Sequence, residues 1–328
     1  MRQIVTTDIG GTHARFAIAT INGGDFVDLD EVVVLKTAEH ASLQTAWEEF
    51  GRRIGRELPK ELAIAFAGPV GGELLKLTNN PWVIRPALIR PKLGVESYTI
   101  VNDFGAVAHA INVLKRGDFQ HLCGPERPLP EHGVVTVLGP GTGLGVAILL
   151  REGEHKYQVL ETEGGHIDFA PLDSLEDRIL AELRKKFRRV SIERIVSGRG
   201  LFDIYEALGA LEDRPLTLHD ERALWTAAMD GSDSLAAAAF DRFCLSLGAI
   251  AGDLALAHGT QSVVIGGGLG HRISKHLVRS GFGNRFVAKG RFERRMADIP
   301  VKLITHDNPG LVGAAAAFAR EHPGVQHP

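Results

Sequence analysis

The sequence predicts an α/β protein of two duplicated domains, and three observations predict it. Strand-like and helix-like hydrophobic periods alternate along the N-terminal part of the chain. A polar stretch at residues 115–133, carrying Pro125, Pro128 and Pro130, breaks that alternation and reads as the crossing into a second domain. Two glycine-rich bends also match each other. Val5, Thr6, Gly11, Thr12, Ala17 and Ile18 return as Val135, Thr136, Gly141, Thr142, Ala147 and Ile148, at an offset of 130 residues. That offset is too long for a solenoid repeat and suits a duplicated domain whose halves face each other. A length of 328 residues independently gives a prior of roughly two domains.

In chain order, residues 3–7, 14–20 and 32–36 read as three strands of a meander. Residues 42–56 carry apolar side chains at helical spacing, with Ser42 as the N-cap. A buried strand at 62–67 ends at Gly68-Pro69, and 73–78 reads as a further strand paired through a Gly71-Gly72 turn. The strand at 98–101 runs into Asn102-Asp103, where a helix starts and continues to about Leu114. A new strand at 134–138 leads into the second bend. Helices follow at 174–187, 201–208, 220–229 and 234–258. The chain closes with a strand at 262–265, a helix near 271–278, a strand at 301–305 and a helix at 311–320.

Hydrophobic residues make up 44% and charged residues 23%, enough for a large core. A formal net charge of −3 offers no electrostatic case for a nucleic-acid partner. Cys123 and Cys244 form no CxxC and no Cys/His ligand spacing, so no structural zinc is expected. So few cysteines fit a reducing, cytoplasmic setting. Met1 leads almost directly into a strand, which reads as no signal peptide. The longest apolar stretch, 234–258, contains Asp241, Arg242 and Asp253 and reads as a buried helix, with no membrane span expected.

The bends carry more than a turn requires. Glycines let backbone N–H groups point into a space that an anion can fill, and threonine adds an uncharged donor. Asp8 would repel a bare phosphate, so its place before Gly10, Gly11 and Thr12 points to Mg²⁺ or its water shell, with no direct protein ligand to the metal expected. A second such bend, with Gly141 and Thr142, suits a triphosphate held between two hairpins. The plainer reading is two glycine-rich turns with an incidental acid. No P-loop motif exists, and GPGTGL lacks the last glycine of G-x-G-x-x-G. Gly266, Gly267 and Gly268 lie between a strand and a helix; they either let the chain pass close to an adenosine or make a tight βα turn.

Asp103 sits at the carboxyl end of a strand, where ligands bind in open α/β sheets. There it can accept a proton from a substrate hydroxyl, or merely cap the helix. EGGHIDFAP at 163–171 places Glu163 and His166 around two glycines, a pattern able to grip adjacent hydroxyls of a polyol; with Asp168 the pair can alternatively be read as metal ligands. Glu193 can reach the same polyol or simply stand in the first turn of a helix. His13 and Arg15 read as structural or surface residues, and the basic run 184–189 as a solvated helix end.

These segments together resemble bacterial glucokinase, the hexokinase-like type without a zinc motif. TDIGGTHAR and LGPGTGLGVA resemble the family's two phosphate segments, VNDFGAVAHA its catalytic segment and EGGHIDFAP its sugar segment; SIERIVSGRGL and HDNPGLVGAA also match. The resemblance runs from residue 3 to about 318. It implies two ribonuclease-H-like domains of the actin-like ATPase type around a central cleft, one of residues 1–115 plus 306–328 and the other of 116–305. It implies ATP-dependent phosphorylation of D-glucose at O6, a glycolytic step, with Mg²⁺. Asp103 would be the base, and Asn102, Glu163, His166 and Glu193 would bind the sugar. Gly10, Gly11, Thr12, Gly141 and Thr142 would hold the ATP phosphates, Asp8 would help place Mg²⁺, and Gly266, Gly267 and Gly268 would border the adenosine. The resemblance also favours a homodimer. Thr162 stands where glycine is expected, His13 where asparagine is expected, and Pro140 stiffens the second bend. The cysteine cluster of the related zinc-containing repressor and kinase branch is missing. Rival readings are a kinase for another hexose or an N-acetylated hexose, a sugar-sensing repressor, and an actin-like ATPase or chaperone whose ATP turnover ignores sugar.

Overall fold

The strand Glu61–Phe66, ELAIAF, alternates large and small side chains, and the alternation decides what each sheet face can hold. Leu62, Ile64 and Phe66 join one cluster with Val5, Ile9, Phe16, Trp47 and Phe50. Ala63 and Ala65 join the other with Ile4, Ala19, Ala106, Ala314, Ala315 and Phe318. One face therefore carries bulky packing, while the alanine face lets helices come close. The computed structural model describes residues 1–22, 26–77, 80–153 and 156–323. The chain divides into two units, one of Met1–Arg116, Glu154–Glu161 and His306–Pro328, the other of Gly117–Gly153 and Thr162–Thr305.

In the first unit the strands are β1 (Arg2–Ile9), β2 (His13–Asn22), β3 (Phe26–Leu29) and β4 (Val33–Lys36). Helix α1 (Leu43–Ile54) follows, then β5 (Glu61–Phe66), β6 (Leu75–Lys76), β7 (Val83–Ile84), α2 (Pro86–Leu93), β8 (Ser97–Asn102) and α3 (Asp103–Ala110). Both β3 and β4 pair antiparallel with β2, one along each half of it. The expected third strand of the meander is thus one broken strand, of which only the second half was legible. Ser42 does cap α1, in a capping box with Thr45. The strand expected at 73–78 shrinks to β6, and its partner is β7 and not a strand across Gly71-Gly72. Thr78, its expected last residue, lies outside the described residues. Helix α3 ends at Ala110, whose carbonyl accepts turn bonds from the Val113 and Leu114 N–H groups.

The second unit carries the second sheet, built from β9 (Phe119–Cys123), β10 (His132–Pro140), β11 (Leu144–Glu152), β12 (Tyr157–Thr162, whose residues through Glu161 belong to the first unit), β13 (Ser262–Ile265) and β14 (Val301–Ile304). Its helices are α4 (Ser174–Arg184), α5 (Gly198–Leu211), α6 (Glu221–Asp230), α7 (Ser234–His258), α8 (Gly268–Leu277), α9 (Phe282–Val287) and α10 (Glu293–Ala297). The polar crossing contains a strand, β9, that lies antiparallel to β14 at the sheet edge. Helix α7 is the one helix among the described residues long and apolar enough to cross a membrane, and 72% of its most apolar window is buried. The chain closes with α11 (Pro309–Glu321), which belongs to the first unit. Thr6 Oγ1 donates to the Leu311 carbonyl at 2.8 Å, tying β1 to α11.

The two sheets share one path. In the first the order is β3-β2-β1-β5-β8, with β4 also on β2; in the second it is β12-β11-β10-β13-β14-β9. Each has an antiparallel hairpin whose first strand has two successive parallel neighbours on its other side. The fold is the α/β, actin-like ATPase architecture. The return strands, however, are not in the same register. Ala17 faces Thr6, whereas Ala147 faces Val137. Between equivalent incoming residues the second hairpin spans one residue more, Gly139 to Gly145 against Ile9 to Ala14, so the alignment at an offset of 130 holds for the incoming strands and slips by one on the way back.

Helix α9, unforeseen in the sequence, is locked to α4 and α7 by charge. Asp173 caps α4 through the N–H groups of Leu175 and Glu176. Its Oδ2 also meets Arg242 Nη1 at 2.7 Å and Arg285 Nη2 at 2.6 Å, and Arg285 reaches the buried Glu176 at 2.9 Å. Desolvation pushes the Asp173 carboxyl up, but the Glu176 N–H and the two guanidinium groups outweigh it and hold the carboxyl below its ordinary 3.8. A depressed folded-state pKa gives stability that is complete above the unfolded value and lost as pH falls through the folded one. The stability advantage of the native chain over Asp173→Asn should therefore be constant near neutrality and shrink below about pH 4. Melting both proteins across that range checks this; a gap independent of pH would contradict it.

Candidate active site

In the first unit, three parallel strands bring their carboxyl ends level. Ile9 is in register with Phe66, and Phe66 with Asn102. The first glycine bend and Asn102-Asp103 thus stand two strand spacings apart, about 10 Å. The Gly10 N–H closes the bend on the His13 carbonyl at 3.0 Å, and Thr12 at its tip is exposed. Asp8 lies opposite Arg15, with 3.4 Å between its Oδ2 and Nη1, and beside Gly310 in the first turn of α11. Burial pushes the Asp8 carboxyl up against the opposing pull of Arg15. Arg15 is therefore a partner of the acid and no mere surface residue.

Helix α3 is capped by Asn102, not by Asp103. The Asn102 Oδ1 accepts from the Phe104 N–H at 2.9 Å and the Gly105 N–H at 3.3 Å, and its Nδ2 donates to the Gly68 carbonyl at 3.2 Å. Asp103 is the first helical residue, and its Oδ1 lies 2.9 Å from the Phe104 N–H. The helix has its cap without Asp103, which removes the plainer explanation for that acid. The Asn102 N–H itself donates to Glu161 Oε1 at 2.7 Å. Sequence reasoning missed Glu161, because only the fold carries it from β12 to the start of α3.

In the second unit, three segments converge on the second glycine bend and a fourth borders the strand that enters it. The Gly141 N–H closes the bend on the Gly143 carbonyl at 2.8 Å, and Thr142 at its tip is exposed. Glu193 Oε2 accepts the Leu144 N–H at 2.9 Å, so this acid anchors the bend while also standing in the first turn of the short 3-10 helix Ile192–Arg194. The Gly198 N–H donates to the Gly141 carbonyl at 2.8 Å, and the Gly266 N–H to the Leu138 carbonyl at 2.8 Å. At Gly165 a side chain is excluded, since a Cβ there would stand 2.1 Å from the Leu144 carbonyl oxygen. The segment bearing Glu163 and His166, both exposed, is thus pressed against the strand that leaves the bend.

One departure acquires a role. Thr162, where glycine was expected, gives its hydroxyl to the Val146 carbonyl at 3.0 Å and accepts the Gly164 N–H at 3.3 Å, which seats the 163–166 turn. The helix expected at 201–208 starts earlier, as α5 at Gly198 with Ser197 as its cap. Likewise Gly267 caps α8, which starts at Gly268 and not at His271. Within the basic run, Arg189 is not free in solvent: it donates to the His166 carbonyl at 2.7 Å and pairs with Asp168 at 2.6 Å. The Ile192 N–H to Ile167 carbonyl bond, 2.8 Å, joins the His166 and Glu193 segments. Among the described residues no three His, Cys, Asp or Glu side chains gather closely enough to hold a metal ion, and Asp168 is engaged by Arg189.

The model of the Glucokinase family matches residues 5–321. A curated glucokinase of Zymomonas mobilis subsp. mobilis is 63% identical over 324 residues, covering 99% of this chain and 100% of that one. The crystal structure of a glucokinase from an Antarctic psychrotroph superposes with a TM-score of 0.84 at 32% identity, over 98% of this chain and 99% of that one. A glucokinase of the ROK family from Streptomyces griseus, solved with glucose and AMPPNP, has a TM-score of 0.65 over 97% and 99% of the two chains; its 21% identity makes it a likeness of fold.

Proposed function

The chain belongs to the glucokinase family, and from that premise we propose that it transfers the γ-phosphoryl group of ATP to the 6-hydroxyl of D-glucose. The observation that carries this reading is the convergence of the Glu163–His166, Glu193 and Ser197–Gly200 segments on the bend at 141–144, with Gly266 beside the strand that enters it. A generic pair of hairpin turns has no need of a carboxylate and a histidine segment seated on one of them.

In this reading Asp103 accepts the proton of the 6-hydroxyl as that oxygen bonds to the γ-phosphorus and the bond to the leaving ADP oxygen breaks. Asn102, Glu163, His166 and Glu193 grip the other hydroxyls and fix the alcohol for attack. Because Asn102 and Glu193 are themselves held by the protein, the sugar meets side chains already oriented. Amides and hydroxyls of Gly11, Thr12 and Thr142 hold the phosphates, while Gly10 and Gly141, whose N–H groups close the bends on His13 and Gly143, shape the phosphate loops; Gly266, Gly267 and Gly268 border the adenosine. Mg²⁺ bound to the nucleotide would neutralise phosphate charge, with Asp8 meeting its water shell; a single carboxylate paired with Arg15 fits that indirect role better than direct ligation. A cytoplasmic homodimer is part of the same proposal. The test is coupled detection of ADP release with MgATP and a panel of glucose, fructose, mannose and N-acetylglucosamine. Glucose should give the highest kcat/KM. ATP turnover that ignores the sugar, or a clear preference for another member of the panel, would overturn the assignment.

A further inference from the structure

A trans peptide puts its carbonyl and the following N–H on opposite sides of one plane. Whatever holds the Gly11 carbonyl therefore aims the Thr12 N–H the other way. That carbonyl accepts two hydrogen bonds, from Thr37 Oγ1 at 2.7 Å and from Asn80 Nδ2 at 3.0 Å. The Thr12 carbonyl accepts the Thr37 N–H at 3.1 Å, which fixes the next peptide in the same manner. Turn closure needs none of this, because the Gly10 N–H already closes the bend on His13. The donors come from 26 and 69 residues away in sequence.

Both donors are themselves held. Thr37 is 1% exposed, directly after β4. Asn80 Oδ1 accepts the Trp82 N–H at 2.8 Å, and the Trp82 indole N–H donates to the His40 carbonyl at 2.8 Å. Trp82 is buried, so Asn80 is set by a side chain with little room to move. The bend is thus gripped by its carbonyls from one side, which leaves its amide edge turned to the other.

We propose that Thr37 and Asn80 are positioning residues for the phosphate tail of the nucleotide, orienting the Gly11-Thr12 peptide so that its N–H meets an anionic oxygen. This rests on the function proposed above, and it adds a consequence that function does not entail: damage at either residue falls on the nucleotide and spares the sugar. Thr37→Val removes the hydroxyl at nearly constant shape, and Asn80→Asp replaces the donor by an acceptor facing a carbonyl. Each should raise the KM for ATP by about 5–10-fold, the effect of one lost hydrogen bond, with the KM for glucose unchanged within about 2-fold. Thr37→Ser keeps the hydroxyl and should behave as the native chain. ADP affinity by titration calorimetry gives a readout independent of turnover and should fall in parallel.

Equal changes in both KM values, unchanged ADP affinity, or a Thr37→Ser variant as impaired as Thr37→Val would refute the proposal. If Thr37→Val does not fold, Asn80→Asp decides the matter by the same two readouts. A native chain that binds ADP but phosphorylates no sugar would sink the function while calorimetry still tests the positioning role. A native chain that binds no nucleotide would sink both.

Discussion

Asp103→Ala is expected to lower kcat by about 10²-fold or more, the loss associated with removing a positioned general base, and to change the KM for glucose far less. A factor of 10² in rate corresponds to about 2.7 kcal/mol of transition-state stabilisation. An interaction made only as the proton moves depresses kcat and kcat/KM together. The fold should survive the change. Asn102 caps α3 through the Phe104 and Gly105 N–H groups; Asp103 shares the Phe104 N–H and adds an acid in the first turn, the latter worth about 0.3–1 kcal/mol. Asp103→Asn keeps the size and loses the base, so it should be nearly as slow as Asp103→Ala. Stopped or steady-state rates on both variants, with melting curves to confirm folding, make the comparison. A folded Asp103→Ala protein that turns over at near-native rate would remove Asp103 from the chemistry.

What the sequence revealed of this site, and what it hid, follows the range of the interactions. Local chemistry was legible: the Ser42 cap, the two Gly-Thr bends, the strand running into Asn102-Asp103, and the span of α7. Elements without a clear period were not. Helix α2 begins at Pro86 and carries Pro91 inside, β9 is five residues at a sheet edge, and β3 with β4 is one strand broken in the middle. Partners set by tertiary structure were also hidden. Thr37 and Asn80 reach Gly11, Glu161 reaches Asn102, and Arg189 reaches the His166 carbonyl across separations that no local pattern encodes. Glu193 shows the middle case. Its residue type suggested a sugar ligand, and only the fold revealed that one of its oxygens holds the bend at Leu144.

Gly313→Ala should be the most damaging small substitution outside the reacting groups. A Cβ at this position would lie 1.7 Å from the Ala106 carbonyl oxygen, 2.5 Å from its carbon and 3.0 Å from the Ala110 nitrogen. All three atoms are backbone of α3, so no side chain can swing aside. Retreat of α11 is opposed from its other face, where Ala314, Ala315 and Phe318 pack on the alanine side of the sheet and the Leu311 carbonyl takes the Thr6 hydroxyl. Either α3 shifts or the sheet contact opens. Overpacking against backbone should cost about 2–4 kcal/mol, a fall in melting temperature on the order of 5–10 °C. Because α3 starts at Asp103, the folded fraction should also lose kcat. Gly117→Ala is the control: its Cβ meets nothing within 4 Å, and its effect should stay within about 0.5 kcal/mol. If Gly313→Ala melted with the native chain, α3 and α11 could not be in backbone contact, and the close approach that the alanine face of ELAIAF permits would not exist.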